Sequence, residues 1–327
     1  MSNTELENYL AFSIKLAEEC GQVIRDGSKA RYHKSEEVKG NNNDVFEKYG
    51  NPTDLVTETD RKVEEIVRDR ISKEFPSHKF IGEETVAAGI KCEFTDDPTW
   101  IVDPIDGTTN FVQGFPFVAI SIALAINKEP VVGVIYNPFM NELYTAIKGK
   151  GAYLNRTTRL PLSYPHNPLP LPNLSHCLVL TEMGSDRSPS VIDKKIRSIH
   201  NMVAQPGQSN RSSGGGSTKK AGLVRGIRCM GSAAVNLCFV AKGNADIYWE
   251  IGCWEWDVAA GIVICQEAGC IIVNANGPDE SPVDILGRKF LAVRGCSPSA
   301  GDTDAKQSQL RIVRELWNVV EEIECPR

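Results

Sequence analysis

The chain has 327 residues, 41% of them hydrophobic and 24% charged, the composition of an ordinary globular protein long enough for two domains or one large one. Lys and Arg number 36 against 42 Asp and Glu, a net charge of −6 that lacks the basic footprint of a nucleic-acid partner. No apolar run approaches the roughly 18 residues of a membrane span, and the N-terminus MSNTELENYL lacks a basic-then-apolar leader, so the expectation is a cytoplasmic protein with no membrane partner.

Leu6, Tyr9, Leu10, Leu16, Ala17, Cys20, Val23 and Ile24 recur at three- and four-residue spacing, which predicts an amphipathic helix over about 4–27. Residues 32–53 are polar and rich in Asn and Gly, and read as a loop. A second helix follows Thr59, with Val63, Ile66, Val67, Ile71 and Phe75 as its stripe and Pro76 as its stop. Apolar runs at Lys79–Gly82, Trp100–Asp103, Phe117–Ile126, Pro130–Tyr136, Glu142–Ala146 and Leu178–Thr181 read as strands, with a turn at Asn137-Pro138. Residues 205–222 (QPGQSNRSSGGGSTKKAG) are low-complexity and basic, the pattern of a flexible surface loop, and no G-x-x-x-x-G-K-[ST] phosphate loop occurs here or elsewhere. A helix over Ala233–Lys242 is closed by Gly243. A strand at Asp246–Glu250, a helix from near Asp257 to Gly269, and strands near Ile271–Val273 and Phe290–Val293 follow. A C-terminal helix carries Leu310, Val313, Leu316, Trp317, Val320 and Ile323 on one face. Strand runs interspersed with helices make the class mixed α/β or α+β.

Ten cysteines are scattered without a C-x-x-C pair or zinc spacing, and read as reduced, packed side chains. The five histidines have no ligand spacing and read as structural or surface residues.

One group of charges is not scattered. Ile81-Gly82 is followed by Glu83-Glu84, and Trp100-Ile101-Val102 ends in Asp103-Pro104-Ile105-Asp106-Gly107-Thr108-Thr109. An acid that follows a buried strand is carried to the mouth of the core, where ligands bind. Converging carboxylates cannot all stay ionised unless cations share them, and with oxygen ligands only, Mg²⁺ or Mn²⁺ fits best. Gly107, Thr108 and Thr109 offer backbone N–H groups and a hydroxyl suited to phosphate. Carboxylates that hold metal beside a phosphate cradle point to metal-assisted phosphoryl hydrolysis. A second acidic segment, Glu250 to Asp257, places Asp257 as a cap before Val258-Ala259-Ala260-Gly261.

DPIDGTTN (103–110), with Glu83-Glu84 upstream and WDVAAG (256–261) downstream, resembles the inositol monophosphatase family. DLVTETD (54–60), FPFVAIS (115–121), KGKGAY (148–153) and GSAAVN (231–236) agree as well, so the similarity runs from about residue 5 to 293. The resemblance implies a layered αβαβα sandwich, with 1–327 as a single domain carrying insertions near 32–53 and 205–222. It also implies a homodimer, and hydrolysis of a small phosphate monoester with two or three Mg²⁺ ions and inhibition by Li⁺. Carried over position by position, Glu83, Asp103, the Ile105 carbonyl, Asp106 and Asp257 would hold the metals. Thr108 with Asp60 would orient or deprotonate the attacking water, with Glu83 among the catalytic groups. Gly107 and Thr108 would hold the phosphate. Asp106, Gly231, Ser232, Ala233, Glu250 and Asp257 would face the rest of the substrate.

Two departures stand out. Trp254 and Glu255 stand where animal members have His and Cys, a feature closer to fungal members. The family's Lys before the position of Asp54 is matched by Lys48 only with an offset of about one residue. The expected reaction is hydrolysis of myo-inositol monophosphates. The alternative is a sister phosphatase acting on 3′-phosphoadenosine 5′-phosphate or another sugar phosphate. A non-catalytic relative would be expected to lack one of the acids, and all are present.

Overall fold

The protein is described from a computed structural model covering residues 3–37, 45–48, 50–206, 220–281 and 283–327. The chain begins with α1 (Asn3–Glu37), then β1 (Val45–Lys48), β2 (Asn51–Thr57), α2 (Glu58–Glu74), β3 (Lys79–Gly82), α3 (Glu83–Ala87), β4 (Thr99–Asp106) and α4 (Thr108–Gln113). Next come β5 (Ala119–Ile126), β6 (Glu129–Asn137), β7 (Glu142–Ile147), β8 (Ala152–Leu154), β9 (Thr158–Arg159), β10 (Leu178–Leu180) and α5 (Pro189–Val203). The last elements are β11 (Gly226–Arg228), α6 (Ala233–Lys242), β12 (Ile247–Ile251), α7 (Glu255–Glu267), β13 (Ile271–Val273), β14 (Lys289–Val293) and α8 (Ala305–Trp317). The backbone groups into two compact units, the first made of 1–160, 231–238 and 254–267, the second of 161–230, 239–253 and 268–327.

The first unit is built on a seven-stranded sheet in the order β3-β4-β5-β6-β7-β8-β9, antiparallel except for the β3–β4 pair. Alternate side chains of its central strands, such as Ile120, Ile122 and Leu124, bury against Leu16, Cys20 and Ile24 of α1 and Val63, Val67 and Ile71 of α2. The other face takes α7 at very short range. A Cβ on Gly133 of β6 would lie 2.5 Å from the Ala260 carbonyl oxygen, so only glycine lets this helix settle onto the strand. Ser121 Oγ adds a 3.1 Å hydrogen bond to the Trp256 carbonyl. Helix, sheet and helix are thus the layers of this unit.

The second unit is a five-stranded sheet in the order β11-β10-β12-β14-β13, parallel across β11-β10-β12 and antiparallel beyond. Val179, Trp249, Leu291 and Val293 pack against Ile312, Val313, Leu316 and Trp317 of α8. The layered α/β class read from the sequence holds. None of the ten cysteines is in a disulfide, and seven of them are buried. No described helix is long and apolar enough to cross a membrane.

Several boundaries differ from the sequence reading. α1 continues to Glu37 rather than stopping at 27. The loop expected over 32–53 includes the antiparallel β1–β2 hairpin, whose polar strands carry exposed residues and so lack an apolar alternation. Of the predicted 205–222 loop, 207–219 lie outside the described residues, and the flanking positions form no helix or strand. α5 has no counterpart in the sequence reading because its buried face carries Lys195, Ser198 and Asn201, which hides the periodicity. α8 ends at Trp317, yet Val320 and Ile323 beyond it remain buried.

Candidate active site

Of the acids singled out in the first unit, Asp60, Glu83, Asp106 and Asp257 each sit at or against the start of a helix, and Asp103 lies within β4. Asp60 is the third residue of α2 and completes a capping box with Thr57. Its Oδ2 accepts the Thr57 N–H at 2.9 Å and a short bond from the Thr57 hydroxyl. Asp257 plays the matching part in α7, taking the Trp254 N–H at 2.7 Å. The sequence reading made Asp257 the cap itself. The helix in fact begins at Glu255, and the acid reaches back from its first turn. Glu83 opens α3, whose first N–H groups are taken by Glu64 through Glu84 N and Thr85 N, both at 2.7 Å. Asp106 caps α6: it accepts from Ser232 Oγ at 2.7 Å, Ala234 N at 2.5 Å and Ala233 N at 3.3 Å.

In a regular strand, residues three apart face opposite sides of the sheet. Asp103 and Asp106 converge because the β4–β5 register shifts between them. The Ile105 N–H donates to Asp103 Oδ1 at 2.9 Å and closes the turn that makes the shift. Gly107 follows with φ of +93°, a left-handed conformation that leads directly into α4. A Cβ there would sit 2.9 Å from the Phe117 carbonyl.

Asp103, Asp106 and Asp257 each bring a carboxylate oxygen to within 4.8 Å of the others. Burial pushes all three up, Asp106 to about 7 and the other two well above the usual carboxylate range. The neighbouring charges add to this: Glu83, Asp106 and Asp257 raise Asp103, and Asp106 and Glu83 raise Asp257. Hydrogen bonds from Ser232 and Ala234 partly offset the rise at Asp106. Three crowded all-oxygen donors that cannot ionise together, Asp103 and Asp106 buried and Asp257 partly so, fit a hard divalent cation.

Beside them, Thr108 Oγ lies 3.1 Å from both Asp60 Oδ1 and the Ile105 carbonyl. Burial raises Asp60 to about 6, against the lowering effect of its Thr57 bonds. The Ile105 carbonyl expected as a metal ligand is thus in contact with Thr108. Ser232 Oγ and the Ala233 N–H, expected to face substrate, are bonded to Asp106.

Glu83 is outside the tight trio. Its Oε1 accepts from Lys48 Nζ at 2.6 Å, and Lys48 also reaches Glu84 at 2.8 Å. Lys48 lies at an irregularity in the β1–β2 register. Glu64 and Glu84 complete this side of the site; Glu84 stood beside Glu83 in the acidic group read from the sequence, and Glu64 was not singled out. Glu84 is pushed up to about 7 by burial and by Glu83. Glu64 carries no signal in the chain: it lies inside α2, and only the fold brings it to the first N–H groups of α3. Glu250 belongs to the second unit, where it is buried against Lys195.

Three clustered carboxylates that could share a cation, with a threonine–aspartate pair beside them, thus stand on a layered α/β fold. The inositol monophosphatase family model matches residues 5–321. "Inositol monophosphatase" of Mesembryanthemum crystallinum is 42% identical over 85% of this chain and 89% of its own length. "Quinic acid degradation cluster protein x" of Neurospora crassa is 38% identical over 99% of this chain and 97% of its own. The solved inositol monophosphatase of Anabaena superposes with a TM-score of 0.67 at 28% identity, covering 97% of each chain. The chain belongs to the inositol monophosphatase family, and it is a phosphatase.

Proposed function

We propose that the protein hydrolyses myo-inositol monophosphates to inositol and phosphate, with Mg²⁺ at Asp103, Asp106 and Asp257. The observation that carries this reading is the convergence of those three carboxylates beside the Asp60–Thr108 pair. Glu83 and the Ile105 carbonyl extend the ligand set, enough for two or three ions, with Li⁺ as an inhibitor. When bound, the metal neutralises phosphate charge and lowers the pKa of a water. The rest falls to the chain's own residues. Thr108 has one hydroxyl proton, given to Asp60 or to Ile105 O, so its lone pairs remain to accept from a water and aim it. Asp60, ionised above about pH 6, takes the proton relayed through that hydroxyl. Gly107 and the Thr108 backbone bound the phosphate, and Ser232 and Ala233 act on the substrate through Asp106. Glu250 is assigned to the alcohol portion of the substrate, as the family resemblance implies. In this reading residues 1–327 act as one cytoplasmic, homodimeric enzyme.

A second reading is favoured by the fungal relative named for quinic acid degradation: a phosphate ester of a carboxylated cyclic polyol. The test is phosphate release with Mg²⁺ from inositol 1-phosphate, from a phosphate ester of quinic acid, from 3′-phosphoadenosine 5′-phosphate and from fructose 1,6-bisphosphate. Preference for inositol 1-phosphate supports the proposal. Preference for another ester keeps the metal chemistry and moves the substrate.

A further inference from the structure

Ile120, Ile122 and Leu124 of β5 pack on α1 and α2, so the alternate residues Ala119, Ser121, Ala123 and Ala125 face the other way, towards α7. Three of these four are alanines. Ser121 is the exception. It is fully buried, and its hydroxyl donates at 3.1 Å to the Trp256 carbonyl in the first turn of α7. That carbonyl belongs to the peptide bond that joins Trp256 to Asp257.

Ser121 also stands directly opposite Asp103 in the β4–β5 ladder. Opposed residues of an antiparallel pair point to the same face, with Cβ atoms about 5 Å apart. One residue thus links the two acids. It neighbours Asp103 across the ladder, and it grips the peptide that carries Asp257.

An alanine would fill this position about as well as the serine. Burying a hydroxyl costs roughly what its one hydrogen bond to a neutral carbonyl returns, so Ser121 adds little net stability. What it adds is direction. Apolar packing is non-directional, whereas a hydrogen bond weakens steeply once its angle is lost. Direction matters here because the carboxylates of Asp103 and Asp257 approach within 4.8 Å and repel when ionised. That repulsion pushes the first turn of α7 away from β4, and the Ser121 bond opposes it.

We propose that Ser121 is a positioning residue that sets the spacing of Asp103 and Asp257, and with it the affinity of the site for a divalent cation. It acts through the backbone of α7 rather than as a ligand. The proposal rests on the reading above that these acids hold a metal.

The experiment titrates Mg²⁺ calorimetrically into the full-length wild type, Ser121→Ala and Glu267→Ala, each first stripped with EDTA, and follows thermal unfolding of each in EDTA. Glu267 is the control. It lies about 15 Å further along α7 from Asp257. Its carboxylate accepts the Gly149 N–H at 2.7 Å and the Gly151 N–H at 2.6 Å, so its loss loosens the same helix at the end remote from the acids. Ser121→Ala should raise the tightest Mg²⁺ dissociation constant about tenfold, the low end of what supporting hydrogen bonds contribute at metal sites. Its unfolding temperature in EDTA should stay within about 2 °C of wild type. Glu267→Ala should unfold at a lower temperature and still bind Mg²⁺ as the wild type does. An unchanged dissociation constant in Ser121→Ala would overturn the proposal. So would an equal weakening in Glu267→Ala, because the hydroxyl would then be one more packing contact of α7. A wild type that binds no Mg²⁺ would overturn the metal reading itself, and this inference with it, before any variant is made.

Discussion

Asp103→Asn should stabilise the metal-free protein while destroying its activity. Charges within 4.8 Å of each other repel by roughly 3 kcal/mol at the effective dielectric of protein sites. Asn removes that repulsion from Asp106 and Asp257 and keeps an acceptor for the Ile105 N–H, so little is lost in return. A carboxyl whose folded pKa is raised binds its proton more tightly folded than unfolded. The fold therefore loses stability as pH rises from the ordinary carboxylate value near 4 to the folded value, about 7 at Asp106. Below that window the trio is protonated and the substitution has little to relieve. Thermal unfolding in EDTA should show the variant about 5 °C above wild type at pH 8, at roughly 1.5 °C per kcal/mol for a chain of this length, and close to it at pH 4.5. Added Mg²⁺ should raise the wild type more than the variant, since a ligand stabilises only the state that binds it. Phosphate release should fall by at least about 100-fold. A variant no more stable than wild type at pH 8, or equally stabilised at pH 4.5, would refute the argument from crowded carboxylates.

Three further outcomes follow from the same geometry. Activity should rise with pH through about 6 as Asp60 ionises; Asp60→Asn should remove that limb of the pH–rate profile and lower kcat about 100-fold or more. Thr57→Val deletes the hydroxyl that caps α2 and anchors Asp60; denaturant unfolding should show a loss of about 1 kcal/mol, with a shift of the same pH limb. Gly133→Ala forces a methyl to 2.5 Å from the Ala260 carbonyl; urea unfolding should show a loss of about 1–3 kcal/mol, and a neutral result would mean that α7 is free to move off the strand.

The parts legible in the sequence were those with a period or a motif. The central strands of the first unit and the helices α2 and α6 appeared within a residue or two, because their buried positions alternate or recur in the plain chain. The acids Asp103, Asp106 and Asp257 were legible because they follow an apolar strand or precede an apolar helix, and the structure gathers them. What was not legible depended on contacts far apart in the chain. Lys48 meets Glu83 across 35 residues, and Lys195 meets Glu250 across 55. The β4 register shift lies in the pairing with β5, not in either strand alone. Asp257 could be read as a cap or as a first-turn acid from the same letters, and only the helix start at Glu255 decides it.

The most direct measurement is phosphate release from inositol 1-phosphate by the full-length protein, first in EDTA and then with Mg²⁺ restored, with and without Li⁺. The account predicts no release in EDTA, rapid release on adding Mg²⁺, and its suppression by Li⁺. Release at the same rate in EDTA would contradict the central claim that Asp103, Asp106 and Asp257 act by holding a metal.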